Sequence, residues 1–221
     1  MEPADAAARV ERFQGSDLTN RLSELEYLLH GAGKHELAEV CSKHEIEPDL
    51  LSAGATVKRI AGQINVVIHA VGILTALPRL LVDGERIEYL SLGAGNTGRS
   101  FDLRTNKRIA EFKFIRWLGG AEAIRQNSLF KDFFYLAEEP GEFDRELYVL
   151  DVAHPLRFLH NNRSLESVMS KNAALASEFK QKYGSRYKVV SEYFRDNESR
   201  VRLLDVIKLS PELAVLRDFD L

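Results

Sequence analysis

Cysteine is almost absent from this sequence of 221 residues, and its scarcity excludes two kinds of stabilising site. Cys41 stands alone, so the chain can form neither an internal disulfide nor a cysteine-rich zinc site. The first residues also lack the basic segment and the apolar run of a secretory signal. These absences predict a cytoplasmic protein.

An uninterrupted apolar run is missing as well. The longest apolar stretch, residues 64–82, contains Asn65, His69, Pro78 and Arg79. A transmembrane helix needs about 20 mostly apolar residues with few charges. We therefore expect this stretch to form part of a buried helix, and we expect no membrane-spanning segment.

The net charge is small too, at −3, so the whole chain has no overall attraction to nucleic acid. The charges are nevertheless unevenly distributed. The first 50 residues are acidic, whereas residues 99–131 and the C-terminal third are rich in Arg and Lys. A basic zone can bind phosphates on a mildly acidic protein, although an ordinary solvated surface is the alternative.

The apolar pattern divides the chain into an acidic helical extension, residues 1–55, and a larger domain, residues 56–221. Leucines in residues 17–30 recur at helical spacing, and a second helix is expected from residue 34 to about 45. These helices could form a homodimer or bind a partner protein. Alternatively, they could simply pack on the larger domain.

The larger domain begins with the pattern helix, three strands, helix, strand, over about residues 57–152. The expected helices are 57–77 and 121–137, and the expected strands are 87–92, 99–105, 108–117 and 147–152. Apolar residues in the first helix are too dense for a single stripe, so it should be buried on most sides. A further helix at 165–183 and a strand at 187–193 follow. This order predicts an α/β fold with a mixed central sheet flanked by helices.

The third strand carries charge at its centre. Along residues 109–115 the side chains alternate between faces, so Glu111 and Lys113 share a face with Ile109 and Ile115. If the strand lies inside the sheet, these charges are partly buried, which costs several kcal/mol unless they are paired or bind a metal. The alternative is a structural Glu–Lys pair on an exposed face.

The second strand should bring another carboxylate to this position. Asp102 and Glu111 are equally far from the turn at residues 106–107, so they should be cross-strand neighbours. Phe101 and Leu103 should share the opposite face. Two converging carboxylates repel each other unless a cation neutralises them. Oxygen ligands suit Mg²⁺, and Mn²⁺ accepts similar ligands.

This hairpin, with Asp102 followed by Glu111, Phe112 and Lys113, resembles the core signature of PD-(D/E)XK nucleases. The order of elements is also similar to their restriction-endonuclease-like core, αβββαβ. The resemblance implies that Asp102, Glu111 and the backbone carbonyl of Phe112 bind Mg²⁺, and that Lys113 assists the attacking water. Phe101 stands where the family signature has proline, a position at which members vary.

The resemblance also predicts residues that contact the substrate. Many of these nucleases have an accessory Gln, Arg or Tyr on the helix after the lysine. Here Gln126 could act catalytically by positioning the phosphate oxygens, and Arg125 could bind a phosphate through two hydrogen bonds. The alternative is the polar face of an ordinary helix. Arg99 and Arg116, from the basic zone, are further candidates for phosphate contacts.

A third metal ligand is less clearly marked. Family members often have a metal-binding carboxylate on the first helix, but residues 57–77 contain none. Gln63, Asn65 or His69 could point inward instead, and Glu88 on the first strand could reach the metal. A buried His69 that is satisfied by a hydrogen bond is the alternative for that residue.

These features predict a Mg²⁺-dependent nuclease, a hydrolase of phosphodiester bonds for which DNA is the expected substrate. DNA or RNA, and internal or terminal cleavage, remain open. One alternative is an inactive nuclease-fold module that binds nucleic acid or a protein partner. Another is a metal-independent enzyme that uses Asp102 and Glu111 as an acid–base pair on a small molecule. The turn at residues 93–98 lacks the Lys-Ser/Thr ending of a phosphate loop, which argues against an NTPase.

Overall fold

A computed structural model describes residues 1–93, 99–117 and 122–218 of the chain. The fold is mixed α/β and 60% helical, with an open mixed sheet of five strands. The helices are α1 Pro3–Gln14, α2 Leu18–Leu29, α3 Lys34–Lys43, α4 Pro48–Leu80, α5 Ala123–Glu138, α6 Ala153–Leu159, α7 Leu165–Met169, α8 Ala173–Tyr183, α9 Val190–Asn197, α10 Val206–Leu209 and α11 Val215–Asp218, with a 3₁₀ turn at Pro211–Ala214. The strands are β1 Ile87–Leu90, β2 Leu103–Thr105, β3 Arg108–Lys113, β4 Asp144–Val149 and β5 Arg202–Asp205.

The chain forms two compact units, Met1–Asn65 and Val66–Leu221. The division lies within α4, later in the chain than the boundary expected near residue 55. The first unit is helical, as expected, although α1 was not foreseen. Asp17 caps α2, because its side chain accepts a hydrogen bond from the Asn20 N–H at 3.0 Å.

The five strands lie in the order β1-β2-β3-β4-β5. The first three are antiparallel to one another, and β3, β4 and β5 are parallel. The mixture arises because a tight turn at residues 106–107 joins the antiparallel β2 and β3, whereas α5 carries the chain from β3 to the parallel β4. Strand β3 is therefore central, as expected, with neighbours on both sides.

Two apolar clusters cover the strands. Ile109 belongs to a cluster that includes Phe130 and Phe133 of α5. Phe112 belongs to a second cluster that includes Ile73 and Leu77 of α4. Alternation along β3 thus directs one set of side chains towards α5 and the other towards α4.

The expectation that Phe101 and Leu103 share a face is wrong. Phe101 packs in the cluster with α5, whereas Leu103 packs in the cluster with α4. The reason is that β2 begins only at Leu103, so strict alternation does not extend back to Phe101. Asp102 still joins the sheet through its backbone, which donates to the Ala110 carbonyl at 3.0 Å.

Helix α4 is longer and more exposed than the sequence suggested. Side chains such as Ile73 and Leu77 are buried, but Ile64, Val67 and Val71 are exposed, so the expected burial on most sides is wrong. Over an 18-residue window its mean hydropathy is 1.8 and 22% of that window is buried. Length and composition alone would let α4 cross a membrane, which is weak evidence from one helix.

The predicted strand at residues 187–193 is also wrong, because α9 occupies most of it. The Glu192 carboxylate accepts hydrogen bonds from the backbone N–H groups of Lys188 and Val189, at 2.6 and 3.2 Å. These bonds satisfy backbone donors at the helix start. The sheet instead gains β5, which the sequence analysis missed.

The predicted helix at residues 165–183 is divided into α7 and α8. Asn172 lies between them and caps α8, since its side chain accepts from the Leu175 N–H at 3.0 Å. A residue that caps a new helix favours a break in a continuous one.

A buried ion network stabilises the start of β3. Arg108 donates to both carboxylate oxygens of Glu85, at 2.6 and 2.8 Å, and to Glu146 at 3.0 Å. Arg202 and the hydroxyl of Tyr148 also bind Glu146. Buried charges require such pairing.

Candidate active site

Lys113 lies between two buried carboxylates. Its Nζ donates to Glu111 Oε1 at 2.8 Å and lies 2.8 Å from Asp132 Oδ2. Glu111 and Lys113 occupy alternate positions on β3 after Ile109, so both side chains face α5, which carries Asp132. The sheet and one helix thus converge on a single ammonium group.

Both oxygens of Asp102 lie close to another group, and one of them accepts a hydrogen bond. Oδ2 accepts the Phe112 backbone N–H at 3.0 Å, and Oδ1 lies 3.3 Å from His69 Nε2 on α4. The pairing of Leu103 with Ala110 extends to place Asp102 beside Glu111, as the hairpin symmetry predicts. Asp102 lies just before β2 begins, and its side chain accepts a backbone N–H of β3 there.

His69 is the helix residue that reaches this carboxylate. Its Nε2 is buried and, within the described parts of the chain, has no hydrogen-bond partner, because its orientation towards Asp102 is not that of a hydrogen bond. The other two candidates on this helix, Gln63 and Asn65, are exposed. We define the carboxylate–lysine cluster as Asp102, Glu111, Lys113 and Asp132.

Burial and crowding raise the pKa of Glu111. Burial has the largest effect, the Lys113 ammonium opposes it, and the carboxylates of Asp132 and Asp102 add to it, so that the pKa rises to about 8. Burial lowers the pKa of Lys113, but Asp132 and Glu111 more than offset this and raise it above its ordinary value. Lys113 therefore remains an ammonium ion and suits charge stabilisation better than proton abstraction.

The cluster contains three carboxylates and one lysine, so ionisation of all three carboxylates leaves an excess of buried negative charge that a divalent cation would neutralise. Asp102, Glu111 and the Phe112 carbonyl offer oxygen ligands. Across residues 1–93, 99–117 and 122–218, no group of three or more His, Cys, Asp or Glu side chains is arranged to bind a metal. Mg²⁺ is commonly bound through one or two carboxylates, with water and substrate oxygens completing its shell. The chemistry of the donors therefore suits Mg²⁺.

The two predicted residues on α5 differ in position. Arg125 and Asp132 are seven residues apart and so lie on the same side of the helix, whereas Gln126 lies on another side. Arg125 Nη1 is 3.1 Å from Glu122 Oε1. Gln126 Oε1 accepts a hydrogen bond from Arg163.

The remaining predicted residues make contacts outside the cluster. Glu88 lies 3.3 Å from Arg104 Nε. The Arg99 guanidinium lies over the ring of Tyr89, 4.5 Å from its centroid. Arg116 donates to the backbone carbonyl of Arg217. The structure thus brings together Asp102, Glu111 and Lys113. Their predicted helpers Glu88, Arg99 and Arg116 contact other residues instead.

Asp132 is the site residue that sequence reasoning missed. It is 1% exposed, although it stands among buried apolar residues of α5 such as Leu129 and Phe133. A carboxylate on the apolar side of a helix is the signal that could have identified it, because burial of an unpaired charge is costly.

A scan against protein-family models and searches of curated proteins and of solved structures find nothing similar. The likeness to PD-(D/E)XK nucleases therefore rests on the hairpin and its charged residues.

The turn at residues 94–98 lies outside the described residues.

Proposed function

We propose that this protein is a cytoplasmic, metal-dependent nuclease that hydrolyses phosphodiester bonds in DNA. The main support is the position of the buried Glu111 and the half-buried Lys113 on the central strand, beside the buried Asp102 of the same hairpin. Two carboxylates and a lysine in this arrangement resemble the PD-(D/E)XK signature. The order α4, β1, β2, β3, α5, β4 supports a restriction-endonuclease-like core as part of the same proposal.

In this proposal the cluster holds the cation and stabilises charge. Asp102, Glu111 and the Phe112 carbonyl would hold Mg²⁺, with Mn²⁺ as a substitute. The chemistry that Mg²⁺ supplies when bound is polarisation of the scissile phosphate and a lower pKa for a bound water. Lys113 contributes a fixed positive charge, which offsets the charge that develops on the phosphate and orients the water.

The other predicted residues have supporting roles in this proposal. Arg125 shares the side of α5 on which Asp132 lies, which supports a role in binding a phosphate next to the cluster in exchange for its contact with Glu122. Gln126 and Glu88 would first have to leave their partners, Arg163 and Arg104. Arg99 and Arg116 would extend the phosphate-binding surface.

Plasmid DNA provides a direct test of activity. The purified chain should nick or degrade it with Mg²⁺ or Mn²⁺ and not with a chelator, and RNA should serve as the competing substrate. Lys113→Ala should abolish cleavage. Lys107→Ala is the matched control, because Lys107 lies in the same hairpin and donates to the Asp83 carbonyl at 3.0 Å. Equal cleavage by the wild type and Lys113→Ala would overturn the assignment.

A second candidate is an inactive nuclease-fold module that binds nucleic acid or a protein partner. The internal pairing of the cluster favours it, because Lys113 is shared by two carboxylates and Asp102 already accepts the Phe112 N–H. Such a protein would bind DNA without cleaving it and would show no heat of Mn²⁺ binding in calorimetry.

The first unit supports a further proposal about partners. Its helix α2 leaves Leu22, Tyr27 and Leu28 exposed. An exposed apolar surface of this kind suits homodimerisation or a partner protein. Light scattering by the full chain tests the homodimer.

A further inference from the structure

Asp132 is a buried carboxylate at a position of α5 where an apolar side chain would serve the packing of the helix on the sheet. It lies among apolar residues of α5, and burial of a carboxylate is unfavourable unless its partners offset the lost hydration. The nearest cation is Lys113, at 2.8 Å. Lys131 is 3.3 Å away and more exposed, and Ser128 Oγ donates to Asp132 at 3.3 Å.

We propose that Asp132 is a positioning residue that holds the Lys113 ammonium in the active site while Glu111 binds the metal ion. This inference rests on the proposed nuclease function. Lys113 is equally close to its two carboxylates, but they come from different elements. Glu111 lies on β3 beside Asp102, whereas Asp132 lies on α5.

This difference assigns a separate task to each carboxylate. Glu111 would use the same oxygen lone pairs for a bound cation as for Lys113, and the ammonium would be repelled by that cation. The bond between Glu111 and Lys113 therefore weakens when the site is loaded. Asp132 keeps its bond, so Lys113 stays where its charge can act on the phosphate, and Ser128 helps to hold the Asp132 carboxylate in place.

The ammonium group itself can report this arrangement. In ¹⁵N-lysine-labelled full-length protein, a buried and hydrogen-bonded Lys113 should give a slowly exchanging ammonium signal, identified by its loss in Lys113→Arg. With saturating Mg²⁺ in every sample, the signal should persist in Glu111→Gln and disappear in Asp132→Asn. Glu138→Gln is the matched control, because Glu138 is a buried carboxylate of α5 that binds Lys182 instead. A signal that survives Asp132→Asn would overturn the proposal.

A milder variant keeps the test decisive if Asp132→Asn does not fold. Ser128→Ala removes only the hydroxyl that supports the Asp132 carboxylate and places a strong helix former in α5. It should speed the exchange of the Lys113 ammonium protons. Unchanged exchange in folded Ser128→Ala would count against the proposal.

Cleavage kinetics provide the second readout. Asp132→Asn should lower kcat by about 10- to 100-fold with KM unchanged, as loss of a supporting partner at a metal site typically does. Asp132→Glu should restore part of the rate. A wild-type kcat in Asp132→Asn would contradict the proposal. If the wild type itself cleaves no DNA, the nuclease function is refuted, and the ammonium signal alone decides the role of Asp132.

Discussion

Glu111 illustrates how burial changes the chemistry of a single residue. Burial and the nearby carboxylates of Asp132 and Asp102 raise its pKa from 4.5 to about 8, against the opposing charge of Lys113. The folded, cation-free protein therefore holds a proton at Glu111 that the unfolded chain releases at lower pH. Such a group makes folding less favourable as pH rises between these two values.

The first prediction concerns this pH dependence. With a chelator present, the free energy of unfolding of the wild type should fall between about pH 5 and pH 8 relative to that of Glu111→Gln, since only the wild type must ionise Glu111. Urea denaturation at several pH values measures the difference. Saturating Mg²⁺ should remove it, because the cation stabilises the ionised carboxylate. Parallel pH profiles for the two proteins without Mg²⁺ would contradict the account of this site.

Arg108 allows a second prediction at the residue scale. Arg108→Met removes the β3 partner of Glu146, a carboxylate that is 2% exposed. The free energy of unfolding should therefore fall by about 3–5 kcal/mol. Arg186→Met is the control, because Arg186 pairs with Asp196 at the surface, and it should cost at most about 1 kcal/mol. Chemical denaturation compares the two. Similar losses would show that the buried network contributes no more than a surface pair.

Some site residues could be predicted from the sequence and others could not. The period of two along β3 and the symmetry of the hairpin place Asp102, Glu111 and Lys113 together, because both depend only on local geometry. Asp132 contacts Lys113 from α5, and His69 approaches Asp102 from α4. Their position depends on how α5 and α4 pack on the sheet, and no local pattern encodes that packing.

At the scale of elements, the packing of α4 depends on Gly72. A Cβ atom at this position would lie 2.7 Å from the Phe114 ring, so only glycine lets the helix approach β3 this closely. His69, three residues earlier in α4, also packs edge-on against Phe114. The close approach therefore helps to place His69 near Asp102.

The third prediction tests this contact with two matched substitutions. Gly72→Ala should destabilise the protein by about 1–3 kcal/mol, because a crowded contact must be relieved. Gly62→Ala, in the same helix but with no atom within 4 Å of the added Cβ, should be stabilising by up to about 1 kcal/mol. Thermal or urea unfolding gives both values. A stabilising Gly72→Ala would show that α4 does not need this approach.

Elements with a strong local signal were predicted best. Alternation identifies β1 and β3, and a dense apolar pattern identifies α4 and α5. The segment at residues 187–193 was wrongly predicted to be a strand, because it contains two Tyr and two Val residues, which are common in strands. Glu192 decides for a helix by binding the N–H groups of Lys188 and Val189, and β5 is too short to give a clear pattern.

At the scale of the whole molecule, the exposed apolar residues of α4 bear on where the protein resides. The fourth prediction is that the full chain stays in the soluble fraction of expressing cells and can be purified without detergent, because Asn65 and His69 interrupt the apolar stretch. Centrifugation of the lysate measures this. Recovery only from detergent-treated membranes would contradict the cytoplasmic proposal and would assign α4 to a membrane.

The fold class followed from the order of elements, whereas the division into units did not. A boundary within a continuous helix has no loop or linker, so the sequence carries no break that would mark it. The exposed surface of α4 is also invisible to a pattern analysis, since dense apolar residues normally indicate burial.

The central claim is that Asp102 and Glu111 bind a divalent cation beside Lys113. A crystal soaked in Mn²⁺ and measured near the manganese absorption edge tests this most directly. The account predicts an anomalous peak between the two carboxylates, within bonding distance of the Phe112 carbonyl, with Lys113 retained by Asp132. A crystal with no peak at this position, in which Lys113 still bridges Glu111 and Asp132, would contradict it.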